Sequence, residues 1–292
     1  MIDYHLHLWP HGQADVAPTV EYLAEYVEAA ASEGVVEIAV TEHFYRFSQA
    51  GKVLGSFFQR YPDSPMRTLM QNYWRDNSTA DLDLYVEVAI AAKAAGLPIV
   101  IGLEVDYYEG EMGVVSDLLG GYPFDVLLGS IHWIQDWPFD HVGDSFVQSK
   151  WDEIGVAGAW EAYTRALEEL AATQSVDVLA HPDLIKVAGH LPAVPEEFYD
   201  RIAEAARDSA IVAEVSSAGW RKPVGEAYPA PYLLDKFKRY GVDITTASDA
   251  HSLGDVSFKS SELRSYVTAA GYSSLAAFSE RKKKMIPIVQ PL

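Results

Sequence analysis

Nine histidines occur in 292 residues, and most sit in short motifs with carboxylates. "HLH" supplies His5 and His7, with His11 shortly after; "TEH" supplies Glu42 and His43. "GLEVDY" carries Glu104, "GSIHW" carries His132, "AHPD" carries His181, "AEVSS" carries Glu214, and "SDAH" carries Asp249 and His251. Imidazole nitrogen and carboxylate oxygen suit zinc, manganese and iron. Eight or nine such donors exceed what one tetrahedral ion takes, but would serve two or three divalent ions sharing a carboxylate. Closely spaced ions can acidify a shared water and clamp the attacking and leaving oxygens of a displacement, which is the chemistry of phosphoester hydrolysis.

Donors from distant motifs need a frame that brings them together. Apolar or β-branched runs occur at residues 2–6, 35–41, 98–105, 124–131, 176–181, 210–217 and 242–248, and read as buried parallel strands. Between most of them lie amphipathic stretches with helix start and stop signals. These are 18–34 (Pro18 to Gly34), 81–98 (ending at Gly96 and Pro98), 159–173, 195–209 and 230–241. Strand alternating with helix predicts an α/β fold with a parallel sheet, and seven units suggest a closed or nearly closed barrel.

On this map the donors fall at the C-terminal ends of the strands, the end that carries the site in parallel α/β barrels. His5, His7, His43, His132, His181 and His251 lie there, whereas His11, His141 and His190 lie in loops. A lone strand histidine is usually a satisfied core residue, but unrelated core histidines would not gather at one end of every strand. Glu104 is the carboxylate central in the strand order and is expected to be the bridge. Glu42 is either a carboxylate orienting a ligand histidine or a solvated residue.

Composition narrows the partners. A formal charge of −20 argues against nucleic acid and anionic membranes, so an anionic substrate needs local positive charge of the kind a metal cluster brings. Cysteine is absent, which excludes disulfides, thiolate sites and cysteine nucleophiles and fits a cytoplasmic protein. No signal-peptide pattern and no long apolar span is visible. One domain over residues 1–292 is expected, with residues 44–80, rich in aromatic and basic side chains, as an insertion forming a lid over one end.

Taken together in order, "HLH", "TEH", "GLEVDY", "GSIHW", "AHPDLIK", "EVSSAGWRKP" and "SDAH" resemble the polymerase and histidinol phosphatase (PHP) superfamily, closest to its histidinol-phosphatase branch, from residue 3 to about 255. The resemblance implies a distorted seven-stranded barrel, a trinuclear metal centre of zinc, manganese or iron, and phosphomonoester hydrolysis, with L-histidinol phosphate of histidine biosynthesis as the substrate. It implies that His5 and His7 ligate the first metal, with Glu104 bridging and Asp249 nearby, and that His43, His132, His181 and His251 complete the other sites. Arg221 matches a phosphate-gripping arginine, and Lys186 stands where relatives often carry a basic residue. Asp249 and Arg221 are then the candidate catalytic residues. Relatives place a further ligand after "HLH", a role open here to His11 or Asp15. A phosphoesterase acting on nucleotides or another small ester, and a non-catalytic metal-binding regulatory domain, are the alternative functions.

Overall fold

The computed structural model describes residues 1–11 and 17–288. Seven strands, β1 (Asp3–Leu6), β2 (Ile38–Val40), β3 (Ile99–Asp106), β4 (Val126–Ser130), β5 (Val178–Leu179), β6 (Val212–Ser216) and β7 (Ile244–Ala247), lie parallel in the order of the chain. All seven predicted runs form strands, and every strand residue is buried, which is why each run is apolar without alternation.

The sheet curls so that its last strand returns to its first. Leu6 bridges Ala250, the amide of His7 donates to the Ala250 carbonyl at 2.8 Å, and that of Asp249 donates to the His5 carbonyl at 2.8 Å. Buried Asp3 fastens the same seam. Its carboxylate accepts from the Ser248 amide and hydroxyl at 2.8 and 2.7 Å, and from the Ser257 amide and hydroxyl at 2.9 and 3.0 Å. The result is a nearly closed barrel with helices outside.

The helices are α1 (Val20–Ser32), α2 (Gly51–Gln59), α3 (Pro65–Asn77), α4 (Leu82–Ala94), α5 (Met112–Leu119), α6 (Ser145–Ile154), α7 (Val156–Thr173), α8 (Glu196–Asp208), α9 (Pro231–Tyr240) and α10 (Ser260–Ala269). A hairpin of β8 (Ser274–Ser279) and β9 (Lys282–Pro287) follows. The expected stop and start signals operate: Thr19 and Asp81 cap α1 and α4, Pro231 opens α9, and Gly241 ends it at φ 73°. None of these helices is long and apolar enough to cross a membrane.

Residues 44–80 form two short 3₁₀ turns followed by α2 and α3. Phe44, Phe47, Val53, Leu54, Phe57 and Phe58 are buried in the same hydrophobic core as the barrel strands. The segment is therefore packed into the structure through its apolar face, and its Tyr45 and Tyr73 line the cavity described next.

Candidate metal centre

A cavity of about 310 Å³ opens at the C-terminal ends of the strands. Its lining includes His11, His43, His132, His181, Asp249 and His251. The distances below it build the site. His5 Nε2 lies 3.1 Å from His7 Nε2, 3.3 Å from Glu104 Oε2 and 3.8 Å from Asp249 Oδ1. His7 Nε2 lies 3.5 Å from Glu104 Oε2 and 3.3 Å from Asp249 Oδ1. The donor atoms of His5, His7 and Asp249 thus lie 3.1–3.8 Å from one another, close to the roughly 3.4 Å that separates ligands on one tetrahedral ion with bonds of about 2.1 Å.

Glu104 belongs to more than one such group. Its Oε2 is 2.6 Å from His43 Nδ1 besides the contacts above, and its Oε1 is 3.0 Å from His181 Nε2 and 3.4 Å from His132 Nε2. The close groups are His5–His7–Asp249, His5–Glu104–His181, His43–Glu104–His132 and His7–His43–His251. Because they share members, they form one contiguous set of donors. Nε2 of His43 and Nε2 of His251 are sealed from water without a hydrogen-bond partner among the described residues. Such atoms are costly to bury. Cations would satisfy them, so the residues present fit a metal cluster.

The electrostatics agree. Burial would raise the Glu104 carboxyl, yet the imidazoles of His5, His132 and His43 hold it well below the usual carboxylate range. Asp249 is likewise held low against its burial by His5, His7 and His251. Burial and the proximity of His7 push His43 and His251 well below the ordinary histidine value, which keeps their nitrogens free to ligate. His132 is pushed up to about 10, because Glu104 and Asp106 outweigh its burial.

Behind the donors stand carboxylates that orient the rings. Glu214 Oε2 lies 2.7 Å from His5 Nδ1, and its Oε1 accepts from the His181 amide at 3.1 Å. Asp106 Oδ1 lies 2.6 Å from His132 Nδ1. Glu42 is fully buried, accepts from the Leu8 and Trp9 amides at 2.6 and 3.0 Å and lies 3.6 Å from His7 Nδ1, so the solvated alternative for it falls. Asp106 was missed in the sequence, although it stands two residues beyond Glu104 on the same strand and therefore faces the same way. His181 and Asp249 have φ of 27° and 52°, left-handed conformations that non-glycine residues rarely adopt and that cluster at functional sites.

The remaining predicted residues divide. His11 reaches the cavity and its ring lies 3.8 Å from that of His251, tilted by 30°, but it is in none of the four donor groups; Asp15 lies outside the described residues. Arg221 Nη2 donates to the carbonyls of Ser248 and Asp249 at 2.8 and 2.9 Å, and its Nη1 has no partner among the described residues. Lys186 must be corrected. Its ammonium is fully buried, 2.9 Å from Asp183, 2.6 Å from Glu226 and 2.9 Å from the Ala227 carbonyl, so its donors are used inside the fold. The lysine that lines the cavity is Lys222, which has no ion-pair partner among the described residues.

Gly219 explains how this last loop is shaped. A Cβ there would sit 1.9 Å from the Glu226 carbonyl oxygen, so only glycine lets the chain fold back closely enough to set Arg221 and Lys222 beside β7.

The sequence profile of the PHP domain matches residues 3–218. A Deinococcus radiodurans protein named "Probable histidinol-phosphatase" is 30% identical over 261 residues, 89% of each chain. The crystal structure of the HisK protein of Listeria monocytogenes superposes with a TM-score of 0.71 at 19% identity, covering 90% of this chain and 99% of that one. That of histidinol phosphate phosphatase from Lactococcus lactis, complexed with zinc, L-histidinol and phosphate, gives 0.64 at 23%, covering 97% and 98%. The two solved structures share the barrel, and the sequence match carries the kinship: this chain belongs to the PHP domain family.

Proposed function

We propose that the chain is a metal-dependent phosphomonoester hydrolase, a histidinol phosphatase that converts L-histidinol phosphate and water to L-histidinol and phosphate. The observation that carries this is the set of overlapping donor groups, joined through Glu104, at the floor of a cavity of small-molecule size. The Deinococcus relative's name, and the zinc, L-histidinol and phosphate in the Lactococcus structure, support the choice of substrate.

His5, His7, His43, Glu104, His132, His181, Asp249 and His251 would hold two or three divalent ions, zinc, manganese or iron, with His11 a further donor at the cavity mouth. Bound there, such ions supply Lewis-acid charge and an acidified water. The chain's own residues do the rest. Lys222 brings a positive charge to the substrate's phosphoryl oxygens from the cavity wall, while Arg221 stands behind it on the same loop, outside the cavity lining. Arg221 also holds the backbone of Asp249, whose carboxylate faces His5 and His7.

These two basic residues should fail differently. Lys222→Ala is expected to raise KM about 10–100-fold with kcat little changed, as loss of a charge-assisted contact would. Arg221→Ala is expected to lower kcat and metal occupancy as well, since Asp249 loses its anchor. Steady-state kinetics with metal analysis separates the two.

The reading is tested by phosphate release from L-histidinol phosphate with added manganese, zinc or iron and with a chelator. Turnover should vanish with the chelator, return with metal, and exceed that of nucleoside monophosphates by about 100-fold or more in kcat/KM. Better turnover of nucleotides would transfer the assignment to them.

A further inference from the structure

Resting on the hydrolase reading above, we propose that Asp140, with Tyr45, Tyr73 and Trp133, forms a subsite for a cationic nitrogen on the alcohol half of the substrate. All four line the cavity that contains the candidate metal ligands. Asp140 Oδ1 is sealed from solvent and has no hydrogen-bond partner among the described residues, and its carboxylate has no ion-pair partner among them either. Asp140 as a whole is half-buried at the cavity wall, so it offers a carboxylate without a side-chain cation beside it to whatever occupies the cavity.

Several candidates for that donor can be set aside. Asp140 is in none of the metal donor groups. The Tyr45 and Tyr73 hydroxyls are 3.1 Å apart and bonded to each other, and neither is bonded to Asp140. Nearby His132 is already held by Asp106 at 2.6 Å. With no side chain of the described residues taking it, the carboxylate is open to a ligand that enters the cavity. The surrounding surface is aromatic: the Tyr45 and Trp133 rings lie 6.0 Å apart, those of Tyr45 and Tyr73 5.8 Å, and His141 packs edge-on against Tyr73 at 5.0 Å. A carboxylate beside aromatic faces is the chemistry that binds an ammonium or a protonated nitrogen ring, by ion pairing and by cation–π attraction. Trp133 Nε1, also unpartnered among the described residues, adds a donor for a polar atom next to that cation.

The geometry thus asks for a phosphomonoester with positive charge on its leaving alcohol. Tyr45 and Tyr73 come from the 44–80 segment, so the chain outside the strand motifs contributes the selection.

The test compares metal-loaded wild type with Asp140→Asn and Asp140→Glu on four esters: L-histidinol phosphate and O-phosphoethanolamine, both cationic, and glycerol phosphate and 4-nitrophenyl phosphate, both without a cation. The readout is the ratio of kcat/KM for cationic over uncharged alcohols. Wild type should favour the cationic esters, Asp140→Asn should lower that ratio about 10–100-fold, and Asp140→Glu should recover part of it. Equal loss on all four esters, no loss on any, or a drop in bound metal would overturn the proposal. The outcomes are separable from the substrate assignment. If wild type does not hydrolyse L-histidinol phosphate, the histidinol phosphatase reading fails, while the ratio between phosphoethanolamine and glycerol phosphate still decides the role of Asp140.

Discussion

Replacing Glu104 by glutamine should cost about 10³-fold or more in phosphate release and lower the bound metal measured by elemental analysis. The amide keeps the shape but removes the charge on which five imidazoles converge: His5, His7 and His43 on Oε2, His132 and His181 on Oε1. Its nitrogen would point a donor at a nitrogen or a cation, so one side of the cluster loses its ligand. Because Glu104 belongs to two of the donor groups, loss at one should weaken its neighbour, and metal should fall at more than a single position. Full metal content with activity within about tenfold of wild type would remove Glu104 from the bridging role.

The second large effect concerns stability. Lys186→Met should destabilise the fold by about 3–5 kcal/mol, because it leaves the Asp183 carboxylate buried without its cation. Asp183 accepts from the Ala230 amide at 2.7 Å, so it cannot readily turn away to water. Thermal unfolding should shift down by roughly 6–15 °C. The KM of the folded fraction should stay near wild type, since the ammonium points into the fold. The double variant Asp183→Asn, Lys186→Met should recover much of the loss. An unchanged midpoint with a raised KM would return Lys186 to the phosphate site.

These two residues show how far the sequence could be read. Glu104 was legible because a buried parallel strand announces itself as an apolar run, and a carboxylate at its end has few structural reasons to be there. The same logic found His5, His7, His132, His181, Asp249 and His251. Lys186 was not legible. It follows His181 by five residues, but its direction is set by a 3₁₀ turn over Leu184–Lys186 and by Asp183 and Glu226, one of them forty residues away. Lys222 and Asp140 stand in loops, where no periodicity says which way a side chain faces. The helix α6 escaped because only Val147 and Trp151 mark its buried face, and β9 because its lysines are exposed. Residues 44–80 were legible as an insertion but not as helices, because Phe44, Phe47, Phe57 and Phe58 serve the core while Tyr45 faces the cavity.

The seam between the first and last barrel strands also fixes when in the life of the chain the centre can exist. His5 and His7 are made long before Asp249 and His251, and before the Ser248 and Ser257 that fasten Asp3. Asp3 and Ser257 are 254 positions apart, so the closing contacts are among the most non-local the chain contains and form only after a long loop is closed. A nascent chain that has not yet reached Asp249 therefore carries imidazoles without their enclosure. The donor set proposed to hold metal is complete only once the barrel's two edges meet.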